Sequence, residues 1–587
     1  MKTRLIIILT FVNALATFSQ ESKTLTFPEN IQGTWLLADG SKQWHISLYE
    51  DVVIYDGELY ENYTINIYDS LYAIELDRTK ILLKLDGDTL NVKSESGQWF
   101  TCKQYQNTKT VFSKRTDCPL HYQMEKKMTR YKGYIVNYNQ KKGKVIKLSY
   151  YDVFSNTKKM FPYEISKNGV FDIELSLPYT AKVSISFPGN YSRSVFMQPG
   201  EQIIHQINRK QSLTYSKYAR LTQEYDYRRL IFSDNDINLS RTILKVSKQH
   251  YIASCKKWHD TYLSRWDSIV VEYNICPTMK EYVDNHLMFF YATNMFNYEV
   301  FHGIEKRKVE KNGETYKYEP FEDKDYAFLE TMPVYDLQHT MIYYYYMFVQ
   351  RLFFSKYLYY DGDSSNSKFK IIDYRYNKIL DLYGEKGAAL ADILTSHYVC
   401  PSSRRKSMTE EDKAYVMKTI RTPSIKNYIL QSHEEVLQKE QHSEKEASAA
   451  KSKTEKTTVE HIFDKLIAPY VGEVIYVDFW ATWCGPCLKD IEDIKPIKNE
   501  LKDKMVFLYI TNPTSPQKLY DVMIKDISGV HYQVSKDEWE LLSQHFGISG
   551  IPHCLIINKK GEVVNNNENI RVHNPQLINI LLKYSEE

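Results

Sequence analysis

The stretch Val474 to Ile491 reads VIYVDFWATWCGPCLKDI, and it constrains the fold more than any other part of the chain. Val474 to Trp480 is an apolar run broken once, at Asp478, as expected of a strand buried in the middle of a sheet. A tight loop follows, and Cys484 then stands where a helix begins, with Gly485 and Pro486 ahead of Cys487. Proline suits the first helical turn, where its missing N–H is not needed. Two intervening residues on a helical turn bring both sulfurs within bonding reach. The positive end of a helix favours a thiolate, so the first cysteine becomes nucleophilic near neutral pH. It attacks a disulfide to give a mixed disulfide, and the second cysteine resolves it, leaving the pair oxidised. A zinc site could use the same Cys-x-x-Cys with two further ligands, for which His545 and His553 stand nearby in sequence. A peroxidase would want a threonine three residues before its cysteine, where Ala481 and Cys484 stand instead. The Gly-Pro dipeptide and the strand–helix setting favour redox exchange, so no metal is expected.

A second motif, Phe546-Gly547-Ile548-Ser549-Gly550-Ile551-Pro552, ends 65 residues after Cys487. Together VDFWATWCGPC and FGISGIP resemble the thioredoxin superfamily, particularly the exported TlpA- and ResA-like thiol–disulfide oxidoreductases of Gram-negative envelopes, over about Val459 to Glu587. The resemblance implies an α/β thioredoxin fold there. It makes Cys484 the attacking thiol, Cys487 the resolving thiol, and Asp478 the buried acid that moves the proton of the resolving cysteine. It also implies a cis Pro552 that holds Ile551 with its backbone toward substrate, where an extended peptide pairs as a short strand. Trp480 and Trp483 would frame the active loop, with Trp483 part of an apolar docking surface. A strand-end polar residue paired with an amide is the competing reading of Asp478, and plain packing that of the tryptophans. Pro496 comes later than the familiar kink, and Asn512 to Trp539 is a longer, insertion-like passage, which places the match with the exported branch.

The Gly-Pro dipeptide resembles the reducing thioredoxins, near about −270 mV, whereas isomerases and strong oxidants lie nearer about −180 to −120 mV. The implied activity is reduction of protein disulfides, with protein thiols and disulfides as substrates. No flavin or nicotinamide fingerprint is present, so no cofactor is expected, and the resemblance implies a membrane electron donor of the DsbD or CcdA kind. A disulfide isomerase or oxidase is one alternative. A cell-envelope binding or scaffold protein carrying an accessory thioredoxin domain is another.

With 587 residues, about three to five domains are expected. Residues 1–20 read as a secretory signal: Lys2 and Arg4 form the positive start, and Leu5 to Phe18 a short apolar core. An uncleaved anchor competes, but the run is interrupted by Thr10 and Asn13 and is short of the roughly 20 residues a span needs. The expectation is a periplasmic or envelope protein with no stable membrane span after cleavage. Met341 to Tyr360 is apolar too, yet Gln350, Arg351 and Lys356 make it a buried aromatic helix. The formal charge of +3, from 76 basic and 73 acidic residues, gives no reason to expect nucleic acid as a partner.

The whole chain therefore reads as multi-domain, with N-terminal β-barrel or β-sandwich regions, a central all-α region and the C-terminal α/β thioredoxin fold. Residues 21–115 are β-rich, and Gly33-Thr34-Trp35 resembles, faintly, the opening strand of lipocalin-like barrels. Residues 120–208 alternate like a β-sandwich. Residues 210–440 change to a helical period, with Tyr215–Phe232, Ser247–Asn274 and Asn377–His397 as amphipathic helices. Residues 441–458 are a polar linker, and 459–587 the thioredoxin-like domain. In an oxidising space disulfides persist. Cys102 and Cys118 bracket the junction of the two β-regions and are candidates for one. Cys554 is expected as a buried inert thiol beside Pro552.

Overall fold

The computed structural model describes residues 27–586 other than 40, 42, 69–70, 78, 106–116, 143, 190, 209–211, 233–242, 312, 362–367, 402–406, 450–457, 483, 502–503, 516, 549, 567–569, 573 and 575. The signal segment 1–20, residues 450–457 of the expected linker, Ser549 and Trp483 thus lie outside the described residues. Two compact units emerge, one running to Tyr150 and resuming over Tyr163–Asp361, the other comprising Tyr151–Pro162 and Gly362–Glu587.

In the first unit, nine strands between Gly33 and Gln104 form one antiparallel sheet. Strands Gly33–Leu37 and Trp99–Gln104 adjoin, and hairpins run outward from each. The order ends on Glu58–Tyr60 and Tyr63–Tyr68, which are not neighbours in the ladder, so the barrel expected here is nearly closed rather than closed. Alternation along each strand sends Trp35, Ile46, Leu48, Ile74, Leu83 and Val92 into one core. Leu36, Trp44, Val52 and Ile54, on the opposite face, pack with Tyr134, Val170, Ile204 and Leu213 of the next region. That region holds a four-stranded sheet in the order Val170–Leu177, Lys127–Ile135, Gln202–Ile207 and Ser212–Tyr215, and the antiparallel pair Ala181–Phe187 and Tyr191–Met197.

The same alternation tells against the Cys102–Cys118 disulfide that the sequence left open. Cys102 is the inward residue of its strand, wholly buried in the core of the nine-stranded sheet, and both cysteines are free thiols.

Helices dominate from Ala219 onward. Ser247 caps Lys248–Glu272, its hydroxyl accepting the His250 N–H at 3.3 Å. The expected aromatic helix is shorter, Tyr343–Phe353, and ends ahead of a 3₁₀ turn at Lys356–Leu358. In the second unit the single helix expected over Asn377–His397 is two, Lys368–Tyr383 and Ala388–Val399. The break falls at Gly384, whose φ of +62° a helix cannot continue. Pro423–Ala449 is helical into the first part of the expected linker.

The C-terminal domain follows in chain order as α1 (Thr458–Ile467), β1 (Val474–Phe479), α2 (Gly485–Asp493), α3 (Lys495–Leu501), β2 (Met505–Thr511), α4 (Gln517–Met523), β3 (Val530–Gln533), α5 (Lys536–His545), β4 (His553–Ile557), β5 (Val563–Asn565) and α6 (Leu577–Glu586). The sheet order is β3-β2-β1-β4-β5, with β1, β2 and β3 parallel and β4 and β5 antiparallel to their neighbours. All six residues of β1 are buried because both faces are covered. Ile475, Val477 and Phe479 face a core shared with α1 and α5. Val474 and Tyr476 face the other, shared with α2, α3, α4 and α6. The insertion-like passage is integral to the fold, since it supplies α4 and the edge strand β3. Pro496 lies in the first turn of α3, after the break at Ile494.

Candidate active site

Strand register brings the two motifs together. Phe479 at the end of β1 pairs with His553 at the start of β4. The chain leaving β1 toward Cys484 and the chain arriving through Ile551 and Pro552 therefore share one end of the sheet. The Ile551–Pro552 peptide is cis, and Ile551 packs against the core cluster that contains both Cys484 and Cys487. No backbone hydrogen bond joins Ile551 to a described residue.

Cys484 is the N-cap of α2, and Pro486 sits in its first turn. The Cys487 N–H donates to Cys484 Sγ at 3.2 Å, and the two sulfurs form a disulfide with Cα atoms 5.2 Å apart. That N–H is one of the unpaired donors a helix start always leaves, aimed here at sulfur. Both cysteines are buried, Cys484 with 3 % of its surface exposed and Cys487 with none. The loop before it is tied down by the Thr482 N–H, which donates to Ser515 Oγ at 3.0 Å. Ser515 in turn bonds Thr511 Oγ1 at 2.8 Å, at the end of β2. Trp480 is fully buried and packs beside Tyr520, so it supports the loop from within. Trp483 lies outside the described residues.

Beneath the loop is a buried polar cluster. Asp478 pairs across the sheet with Cys554 on β4 and Tyr509 on β2. It is 4 % exposed, and among the described residues its Oδ1 has no hydrogen-bond partner, which sets aside the amide-paired reading for that oxygen. Burial first, and then the charge of Asp490, push its carboxyl up to about 8. Lys498 of α3 donates to the Tyr509 hydroxyl at 3.0 Å and to the Ser528 carbonyl. Burial holds its amine down to about 8, against the attraction of Asp478. Asp490, one turn after Cys487 on α2, receives Arg571 Nη2 at 2.6 Å and Nε at 3.0 Å on one oxygen. The Tyr476 hydroxyl reaches Cys554 Sγ at 3.1 Å, and burial pushes that thiol well up.

Asp490, Lys498 and Arg571 are absent from the reading of the sequence. Asp490 was findable, because three residues after Cys487 on a helix is the same face. Lys498 and Arg571 arrive from elements that no local pattern ties to the cysteines. Chemically the site holds a two-electron dithiol–disulfide couple over a proton-binding carboxyl.

The thioredoxin-like family model matches residues 472–563. The thiol-disulfide oxidoreductase ResA of Halalkalibacterium halodurans is 25% identical over 93 residues, which is 16% of this chain and 52% of that protein. ResA of Geobacillus kaustophilus is 27% identical over 101 residues, 16% of this chain and 55% of that one. The chain thus spans about half the length of the curated relatives it matches. The solved thioredoxin domain of a thiol-disulfide oxidoreductase from Bacteroides vulgatus, 21% identical, aligns over 20% of this chain and 84% of its own, with a TM-score of 0.19.

Proposed function

We propose that the C-terminal domain, a thioredoxin-superfamily domain of the TlpA/ResA-like kind, works as a protein-disulfide reductase on the exported face of the cell envelope. The observation that carries this reading is the Cys484–Cys487 pair at the start of α2, with the Cys487 N–H on Cys484 Sγ. In the reduced domain that N–H and the helix end stabilise a Cys484 thiolate. The thiolate attacks one sulfur of a substrate disulfide. A mixed disulfide forms and the substrate's other sulfur leaves as thiolate. Cys487 gives its proton to Asp478, attacks Cys484 Sγ, and releases the second substrate thiolate. Two electrons pass to the substrate, and the domain is left oxidised.

Ile551 and Pro552 form the wall against which an extended substrate segment lies, and an Ile551 backbone with no hydrogen bond to another described residue supports strand-like pairing there. Electrons return from a membrane donor of the DsbD or CcdA kind, after a signal at 1–20 has exported the chain. The β-rich 21–115, sandwich-like 120–208 and helical 210–440 regions, joined through 441–458 to the domain at 459–587, choose the partner.

The test is the reduction potential of the Cys484–Cys487 pair, read by alkylation and mass after equilibration in graded thiol buffers. A value at or below about −250 mV supports a reductase. A value above about −180 mV makes the protein an oxidase or isomerase and overturns the proposed direction.

A further inference from the structure

The loop between β1 and α2 is fixed by residues outside the cysteine motif. The Trp480 N–H continues the β1–β2 ladder by donating to the Ile510 carbonyl at 3.0 Å, and the Cys484 N–H closes a turn onto the Ala481 carbonyl at 2.9 Å. Between those two points the Thr482 N–H donates to Ser515 Oγ at 3.0 Å. Among the described residues the Thr482 hydroxyl and the Trp480 indole N–H have no partner. Ser515 is therefore the one described side chain that holds this loop by a hydrogen bond.

Ser515 is itself braced. It is buried just after β2, where its hydroxyl lies 2.8 Å from Thr511 Oγ1. Its N–H donates to the Asn512 carbonyl at 3.0 Å. From the edge strand β3, Gln533 Nε2 donates to the Ser515 carbonyl at 2.8 Å and to the Asn512 carbonyl at 3.2 Å. Gln533 stands opposite Thr511 in the parallel ladder that joins β3 to β2. Hydrogen bonds thus run from the sheet edge through Ser515 to the turn that carries Cys484.

The consequence lies in where the Cys484 sulfur stands. It receives the Cys487 N–H at 3.2 Å because Cys484 sits at the N-cap of α2. A hydrogen bond to an ionised acceptor is about twice as strong as a neutral one, and a thiolate at a helix start draws on it. A buried N–H without an acceptor is costly, so losing Ser515 Oγ drives Thr482 toward another partner and carries the turn with it. We propose that Ser515, braced by Gln533, is a positioning residue for Cys484, holding the Thr482 end of the turn so that the sulfur stays on the helix start in the reduced domain. This assignment rests on the reading of Cys484 as the attacking thiol.

The test is the pH midpoint of Cys484 alkylation in the reduced full chain, read by fragment mass to separate it from Cys487. Ser515→Ala should move the midpoint up by about one pH unit, about tenfold less thiolate at any pH below it. Ser515→Thr keeps the hydroxyl and should bring the midpoint most of the way back. Gln533→Ala, at a half-buried position, should leave about threefold less thiolate. Asp478, Asp490, Lys498 and Arg571, the charged groups beneath the loop, are the same in every chain. Exchange along β1 and β2 reports whether each variant is folded, and Gln533→Ala decides the matter if Ser515→Ala is not. In the oxidised, unsubstituted chain the Thr482 amide should exchange at least about tenfold slower than its intrinsic rate, a readout that needs no variant. An unprotected Thr482 amide, an unmoved midpoint in the folded variants, or no recovery in Ser515→Thr overturns the proposal. A midpoint near about 8.5 in the parent itself, the value of a free thiol, instead overturns the reading of Cys484 as the attacking thiol.

Discussion

Replacing Asp478 by Asn isolates the cost of the buried carboxyl. An aspartate titrates near 4 in an unfolded chain, whereas this one is pushed up to about 8 by burial and by Asp490. Between those values the folded domain holds a proton that the unfolded chain has lost. Stability therefore falls as pH rises from about 4 to about 8 and is level on either side, with a slope approaching 1.36 kcal/mol per pH unit. From pH 5 to pH 7 the parent domain should lose roughly 2–3 kcal/mol on this account, and Asp478→Asn nothing. Lys498 does not blur the comparison. Its amine is held down to about 8, so it is charged in both states below pH 7, and it adds stability with rising pH only above that window. The assay is hydrogen exchange on the oxidised full chain, read at the most protected amides of β1 and β2, because a multi-domain protein has no single unfolding equilibrium. After correction for intrinsic rates, protection in the parent should drop on the order of 30- to 100-fold more than in the variant between pH 5 and pH 7. Parallel pH dependence in the two chains would refute the reasoning, because Asp478 would then titrate as an ordinary, solvated carboxyl.

Three further outcomes follow from the same geometry. On the proposed roles Cys487→Ser should accumulate mixed disulfides with substrate proteins on non-reducing gels and Cys484→Ser, which removes the less buried of the two residues, should not; trapping by Cys484→Ser alone would reverse the roles. The oxidised chain, denatured and alkylated without reductant, should take up six labels, Cys102 and Cys118 among them; four labels would restore a second disulfide. Gly133→Ala should open the strand Lys127–Ile135, because its Cβ would lie 2.3 Å from the His205 carbonyl oxygen and 2.3 Å from the Phe171 ring. A cost of about 1–3 kcal/mol is expected, seen as faster exchange along that strand, and unchanged exchange would count against the contact.

What was legible in the sequence is what depends on neighbours along the chain. β1 announces itself because a strand covered on both faces must be apolar throughout, and Asp478 stands out against that run. Cys484 and Cys487 are readable because a helical turn fixes their distance. The second motif is readable as a loop, yet its place beside the cysteines depends on the register of Phe479 with His553, which no local pattern states. What the sequence left open or missed has the same origin. Cys102 and Cys118 bracket the junction of the β-regions and leave a pairing open, but strand alternation turns Cys102 into a core. The helix expected over Asn377–His397 has the right composition, and one glycine at positive φ divides it.

The proton chemistry shows why a motif understates a site. A polar residue in a buried strand tells the reader that something must answer it, not what answers. Here the answer is assembled from Asp490 on α2, Lys498 on α3 and Arg571 ahead of α6, three elements separate from β1. Removing either cation should raise the Asp478 carboxyl further, and removing Asp490 should lower it, while Cys484 and Cys487 stay where they are. The cysteine spacing thus sets which sulfurs pair, and the packing of α2, α3 and the segment before α6 over β1 sets the pH at which Asp478 gives up its proton.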